Sequence, residues 1–325
     1  MSDILDLHPE VLNISEFLLG LLAAGLQHRD QKINAADFCH ILHSANPSRA
    51  TLVRIGIKLP ENRYPFSQNG MRFTENDPVP FPLYSMLPRL TNDPDALFYD
   101  IVDYVLLENG QTAGQHLDAV LQALQHSCTG KVIVERSGGT LALHARIRDL
   151  LPHARPIVLL RDGTETALSM RNHNFFKHFM LRMVMQSQLG YDPYQSRERA
   201  GVAQLHQQLI DNLPENITAV HFERLDLPLR VYGELWSNAI RLGAPLLSQT
   251  LPWFDYKELC KEPERFLRLL SVQLGVSPWP EWVEKSKKLI APPRDAVTHL
   301  SEMDRMELRD ACRPGSKLLA DLKGT

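Results

Sequence analysis

The chain has 325 residues, 44% of them hydrophobic, and a formal net charge of −3. That length buries one large core or two smaller ones. The near-balanced charge excludes a general nucleic-acid binder, which needs a basic surplus, but leaves room for one local anion pocket.

Taken in order, residues 2–7 have helical, apolar character, and 8–17 (HPEVLNISEF) read as a helix end, a turn at Pro9 and a new helix near Ser15. The apolar run 18–26 is far too short to span a bilayer and lacks a basic leader or small-residue cleavage site. Cys39, Cys128, Cys260 and Cys312 are widely spaced and form no CxxC or Cys/His zinc pattern, so they read as free thiols of a reducing compartment. The expectation is a cytoplasmic protein without a membrane span. Residues 29–50 are helical and polar, and 51–58 (TLVRIGIK) predict a strand from their near alternation of β-branched residues. The stretch 61–94 holds too many prolines for a long helix or a central strand. It reads as a surface excursion from a single domain over 1–325, either shaping an acceptor site or simply connecting elements. Residues 95–109 and 116–126 predict amphipathic helices that pack on a sheet.

The centre of the chain is 131–177, which reads strand, loop, helix, strand, loop, helix. Residues 131–135 are a short β-branched run, 141–151 are helical in period, and 156–160 (PIVLL) suit a strand buried on both faces. Arg161 and Asp162 end that strand, and Gly163 and Thr164 open the next helix. Ligands in open α/β sheets bind beyond the carboxyl ends of the strands, where an arginine facing a helix N-terminus is set to hold an anion. His173 follows Ser169 at i+4, so both share a face if the helix runs through. Arg161, Ser169 and His173 then meet around one phosphate. On spacing alone the plainer arrangement is favoured, with Arg161 and Asp162 as a surface ion pair and Ser169 solvated. Beyond it, 175–189 and 202–212 read as helices, the first with a Met and Phe stripe toward the core, and 217–222 as a short strand.

The stretch VLLRDGTETALS resembles the 3′-phosphate motif of sulfotransferases that use 3′-phosphoadenosine-5′-phosphosulfate (PAPS). That motif is an apolar strand, Arg-Asp, and a serine eight residues after the arginine; Arg161 and Ser169 stand in those places. HARPIVLLRDG is similar to the family's lead into that strand, and ERSGG at 135–139 resembles its basic-Ser/Thr-Pro/Gly turn. Further on, LDLPLRVYGELWSNA, DYKELCKEPERFLRLLSVQLG and ACRPGSKLL are similar to later family text, with Lys257 where a glutamate is usual.

The resemblance implies an α/β fold, a mostly parallel sheet flanked by helices, of the P-loop nucleotide-binding type. Its first strand, and the Arg-Ser-Gly-Thr-Thr loop that cradles the 5′-phosphosulfate, are missing. Two explanations stand open: a start codon placed too late, or a truncated gene. The implied activity is transfer of a sulfuryl group from PAPS, without a metal, to a hydroxyl or amine of a small-molecule, carbohydrate or peptide acceptor. Glu16, after His8-Pro9-Glu10-Val11, takes the place of the base; on the residues alone Ser15 is an N-cap and Glu16 favours the helix dipole. Arg136 takes the place of a cation that balances charge on the transferring group, or else forms a salt bridge with Glu135 or Asp162. Tyr256 is implied as a nucleotide contact or is a packed core residue. Arg294 ends a basic stretch with Lys285, Lys287 and Lys288 that is implied to close over the nucleotide phosphate. The rival expectation is a non-catalytic binding or interaction protein on the same fold. A nucleotide kinase is disfavoured, since no GxxxxGK[ST] loop is present.

Overall fold

Helices dominate the computed structural model, which describes residues 1–250, 253–291 and 296–324, and two parallel strand pairs are set among them. Helix α1 (Ser2–Asp6) leads to β1 (Val11–Asn13) and α2 (Phe17–Ala23). Helices α3 (Ala35–Leu42), α4 (Pro47–Arg54) and α5 (Phe81–Ser85) follow. Their starts are local: Asn34 accepts from Asp37 N and Asn46 from Arg49 N, with Pro47 at the first helical position. Helices α6 (Pro94–Leu107) and α7 (Ala113–Ser127) turn apolar stripes into a core with Leu18, Leu21 and Phe38. Thr112 and Gln115 form a capping box on α7.

Strand β2 (Val132–Val134) lies parallel to β1, with Val11 opposite Val132. Next come α8 (His144–Leu150), β3 (Leu159–Leu160), α9 (Gly163–Arg171) and α10 (Asn174–Leu189). After the short α11 (Gln207–Ile210) and α12 (Ala219–Arg224), the long α13 (Leu229–Leu247) leads toward β4 (Phe254–Asp255). Strand β4 is parallel to β3, with Leu159 opposite Phe254. Helices α14 (Tyr256–Lys261), α15 (Pro263–Leu274), α16 (Pro280–Leu289) and α17 (Glu302–Gly324) complete the chain. Val11, Val134, Leu159 and Phe254, one from each strand, meet Phe266 and Leu270 of α15 in one apolar cluster.

Helix α13 packs on both α9 and α17, and the contact is tight. A Cβ on Gly163 would stand 2.6 Å from Trp236 Cζ3, and one on Gly315 also 2.6 Å. Only hydrogen fits at both places. Ser237 Oγ donates to Ala311 O at 2.7 Å and accepts from Gly315 N at 3.4 Å. It thereby bonds both ends of the α17 turn in which Pro314 lacks an N–H.

Several expectations are corrected. The broad parallel sheet is replaced by two pairs of two or three residues each, so the fold is α-rich. A strand does precede the 17–23 helix: β1 lies between the expected turn at Pro9 and the helix start, and three residues are too few for an alternation to show. Residues 51–54 are helix and 55–56 a turn, because the Asn46–Pro47 start commits the segment to α4 and Leu52 is buried in the second core. The 217–222 strand is replaced by α12, whose N-cap Thr218 accepts from His221 N. Only Leu159 and Leu160 of 156–160 pair, and they are half-buried rather than enclosed on both faces. The proline-rich segment is not confined to the surface, since Phe81, Leu83 and Tyr84 of α5 enter the first core. The four cysteines are free thiols, as read.

Candidate functional site

Two clusters of polar side chains stand at the carboxyl ends of the strands. The first is built by the β1–β2 pair. Beyond the strands the ladder continues, with Ile14 N donating to Val134 O at 2.9 Å and Glu16 N to Arg136 O at 3.0 Å. This pairing brings together Glu16 and Arg136, which are far apart in sequence. Glu16 Oε1 accepts from Arg136 Nη1 at 3.1 Å and from Gly138 N at 3.2 Å. Glu16 holds a left-handed backbone, φ 64° and ψ 13°, and is the only non-glycine residue at positive φ among the described residues. Such a conformation costs on the order of 1 kcal/mol or more in a residue with a Cβ, so neighbouring contacts must hold it. The bonds of Glu16 to Arg136 and Gly138 do so, and next to them Ser15 Oγ donates to Asn13 Oδ1 at 2.9 Å and Asn13 Nδ2 to Asp6 Oδ1 at 2.7 Å.

Beside Glu16 lies Glu135. Its carboxylate accepts from Leu18 N at 3.4 Å and from Ser137 Oγ. Burial, with the nearby Glu16 charge adding to it, pushes the Glu135 carboxyl up to about 7 against the pull of the Ser137 hydroxyl. A carboxyl that exchanges its proton near neutral pH beside a guanidinium can serve as acid or base. In sequence Glu135 stands out only as a partner for Arg136, and its place directly after a β-branched run is the one further signal. Glu10 and His8 are structural. Glu10 accepts from Lys131 and from Ser277 N, which hold its carboxyl down at about 2, and His8 Nε2 meets Ser277 O at 2.9 Å.

The second cluster stands at the ends of β3 and β4. The guanidinium of Arg161 lies over the Tyr256 ring, 4.9 Å from its centroid, and Nε donates to Glu165 Oε2 at 3.3 Å. The Arg161–Asp162 pair suggested by spacing is not made. Asp162 caps α9 instead, accepting from Thr164 N at 3.0 Å and Glu165 N at 3.1 Å. Burial opposes ionisation of Asp162, but these bonds and Lys257 hold its carboxyl below the ordinary value. Next to it opens a groove of about 580 Å³ lined by Asp162, Thr164, Glu165, Lys257, Arg309 and Arg313, among others. Comparisons with protein-family models, curated proteins and solved structures find no match.

Ser169 lies on α9 and is exposed. His173 does not share a continuous helix with it: α9 ends at Arg171, and His173 is the N-cap of α10. Its Nε2 stands 3.4 Å from Glu61 Oε2. Arg161 and Tyr256 are therefore brought together, and so are Glu16 and Arg136, whereas His173 meets a carboxylate from the proline-rich segment. Arg294 lies outside the described residues. Among the described residues no group of three His, Cys, Asp or Glu side chains is placed to hold a metal, and no helix is long and apolar enough to cross a membrane.

Proposed function

We propose that the chain is a sulfotransferase-like protein that binds the 3′-phosphate of PAPS at Arg161 and transfers its sulfuryl group to a hydroxyl or amine. The observation that carries this reading is the position of Arg161 beyond a parallel strand, over Tyr256 and directly before α9. Crevices at the carboxyl ends of parallel strands are where α/β proteins take phosphorylated ligands. The parallel β3–β4 pair and its strand–turn–helix continuation support this reading. A planar guanidinium can grip two phosphate oxygens, and a tyrosine beneath it keeps it oriented. In this reading Ser169 adds a hydroxyl to the same phosphate, Glu135 and Glu16 are the proton-transfer candidates, and Arg136 supplies charge to the transferring group.

Calorimetry with adenosine 3′,5′-bisphosphate and adenosine 5′-phosphate tests the reading. Charge-assisted hydrogen bonds contribute about 1.5–3 kcal/mol, so Arg161→Ala should weaken the bisphosphate about ten- to a hundredfold and the monophosphate much less. An equal penalty on both ligands, or no binding of either, overturns it.

One observation favours a second reading, a non-catalytic binding protein on the same framework. The Glu16 carboxylate already occupies the Arg136 guanidinium and the Gly138 amide, two groups that would otherwise face an incoming anion. Binding of the bisphosphate without sulfuryl transfer to any hydroxyl or amine acceptor would decide for this second reading.

A further inference from the structure

Glu61 and His173 form a half-buried pair, three of whose polar atoms lack a directed hydrogen-bond partner. Glu61 begins the proline-rich segment, and both its carboxylate oxygens are buried without a hydrogen-bond partner. The approach of His173 Nε2 to Oε2, at 3.4 Å, is a close contact rather than a directed hydrogen bond. Burial opposes the charge on Glu61, yet His173, the residue's own backbone N–H and the nearby Arg49 hold its carboxyl below the ordinary value. Arg49 cannot satisfy those oxygens. Its Nη1 donates to Ser85 Oγ at 3.3 Å, and its guanidinium lies over the rings of Tyr84 and Phe175.

His173 Nδ1 is a third buried atom without a partner. In the neutral tautomer that directs Nε2–H at Glu61, Nδ1 presents a lone pair. Glu61 Oε1 and Oε2 and His173 Nδ1 are thus three buried acceptors without a directed partner. Buried polar atoms in native proteins are almost always satisfied, and a group of three that is not calls for a missing partner. The cluster is not sealed, because the side chains of His173 and Glu61 are 36% and 19% exposed. It also adjoins the β1–β2 cluster. Phe176 stands edge-on to His173 with centroids 5.5 Å apart, and its Cζ lies 3.5 Å from where a Gly138 Cβ would be. Glu16 Oε1 is bonded to the amide of that same Gly138.

We propose that Glu61 and His173 form a subsite for a ligand that donates hydrogen bonds, a hydroxyl- or amine-bearing molecule. Its identification as the acceptor end of the site rests on the sulfotransferase-like reading above. The ligand's O–H or N–H groups satisfy Glu61 Oε1 and Oε2 beside the His173 ring, and Phe176 is the wall between this subsite and Glu16.

The test uses the full chain labelled with ¹⁵N-histidine, the His173 ring signals being identified by their loss in His173→Gln. Three probes are titrated at constant pH over the same concentration range: ethylene glycol, ethylamine, and 1,2-dimethoxyethane, which has no donor. Saturable movement of the His173 ring nitrogens is expected with one or both of the first two and not with the third. A response to the glycol alone assigns a hydroxyl ligand, and a response to the amine alone assigns an ammonium ligand. Glu61→Gln fills the same volume and brings its own donor, so it should weaken the response at least about tenfold. Unchanged backbone amide spectra of this variant show that it is folded. No saturable movement, equal movement with the donor-free probe, or an unchanged response in Glu61→Gln overturns the proposal. The readout needs neither nucleotide nor sulfuryl donor. If the probes bind but adenosine 3′,5′-bisphosphate does not, the subsite stands and only its assignment as an acceptor end falls.

Discussion

His178 should make the native state acid-labile well above the carboxylate range. It is fully buried on α10, neither ring nitrogen has a partner, and Tyr194 stands edge-on to it at 4.7 Å. Burial, reinforced by Arg182, lowers its pKa from 6.5 to about 3. The unfolded chain therefore takes up a proton that the native chain refuses. Its contribution to stability is whole above pH 6.5 and is lost as the pH falls from there toward about 3. Each pH unit in that window costs about 1.4 kcal/mol, so pH 5 costs about 2 kcal/mol. The wild-type profile alone does not reveal this, because Glu135 titrates in the opposite sense over much of the same range. The readout is the comparison with His178→Phe, which keeps a ring and carries no titrating atom. Urea unfolding of both proteins at pH 7 and pH 5 gives four free energies. Any repacking cost of the phenylalanine is common to both pH values and drops out. The variant should gain about 2 kcal/mol on the wild type between pH 7 and pH 5. Equal differences at the two pH values would refute the claim that His178 is held neutral by burial.

Glu135→Gln should show the mirror image. A carboxyl raised from 4.5 to about 7 gives its full stability below pH 4.5 and loses it as the pH climbs, so the variant's advantage in urea unfolding should be about 2 kcal/mol larger at pH 8 than at pH 5. Glu16→Gln should lower any sulfuryl-transfer rate on the order of 10²–10⁴-fold and leave bisphosphate affinity nearly unchanged, as for loss of a base that acts on the acceptor. An unchanged rate returns Glu16 to closing the β1 turn. Gly315→Ala should destabilise by about 1–3 kcal/mol, because its methyl would meet Trp236 at 2.6 Å. A thermal melt superimposable on the wild type would show that the helices separate freely.

The long helices were legible because their burial is periodic. Residues 95–109, 116–126 and 175–189 announce α6, α7 and α10 through apolar stripes that run for several turns. The strands were not, since two or three residues cannot establish an alternation against the noise of single side chains. The false strand at 51–58 came from weighing β-branched residues above a start signal. Asn46 and Pro47 are a helix beginning in the sequence itself, and the backbone follows them. The site shows the same division. Glu16 and Arg136 were nameable through the family resemblance, and Tyr256 with Arg161 likewise. Contact across the β1–β2 ladder, the burial of Glu135 and the meeting of Glu61 with His173 all depend on tertiary placement, which spacing along the chain does not encode. The shared face of Ser169 and His173 failed for a local reason, the break at Asn172 between α9 and α10.

The stack of Gly163, Trp236 and Gly315 has a consequence for how this protein can change over time. Three positions, from the start of α9, the middle of α13 and the middle of α17, share one indole-sized space with no slack. No one of the three can enlarge alone. A methyl at either glycine becomes admissible only after the indole has shrunk, and a smaller ring at 236 leaves a void until a glycine has grown. Neutral drift must therefore cross this point in paired steps, each first step being costly. Because Gly163 directly follows Arg161 and Asp162, the same constraint ties the Arg161 end of β3 to a helix late in the chain. Substitutions in α17 that never touch a ligand would then be filtered as strictly as those beside it.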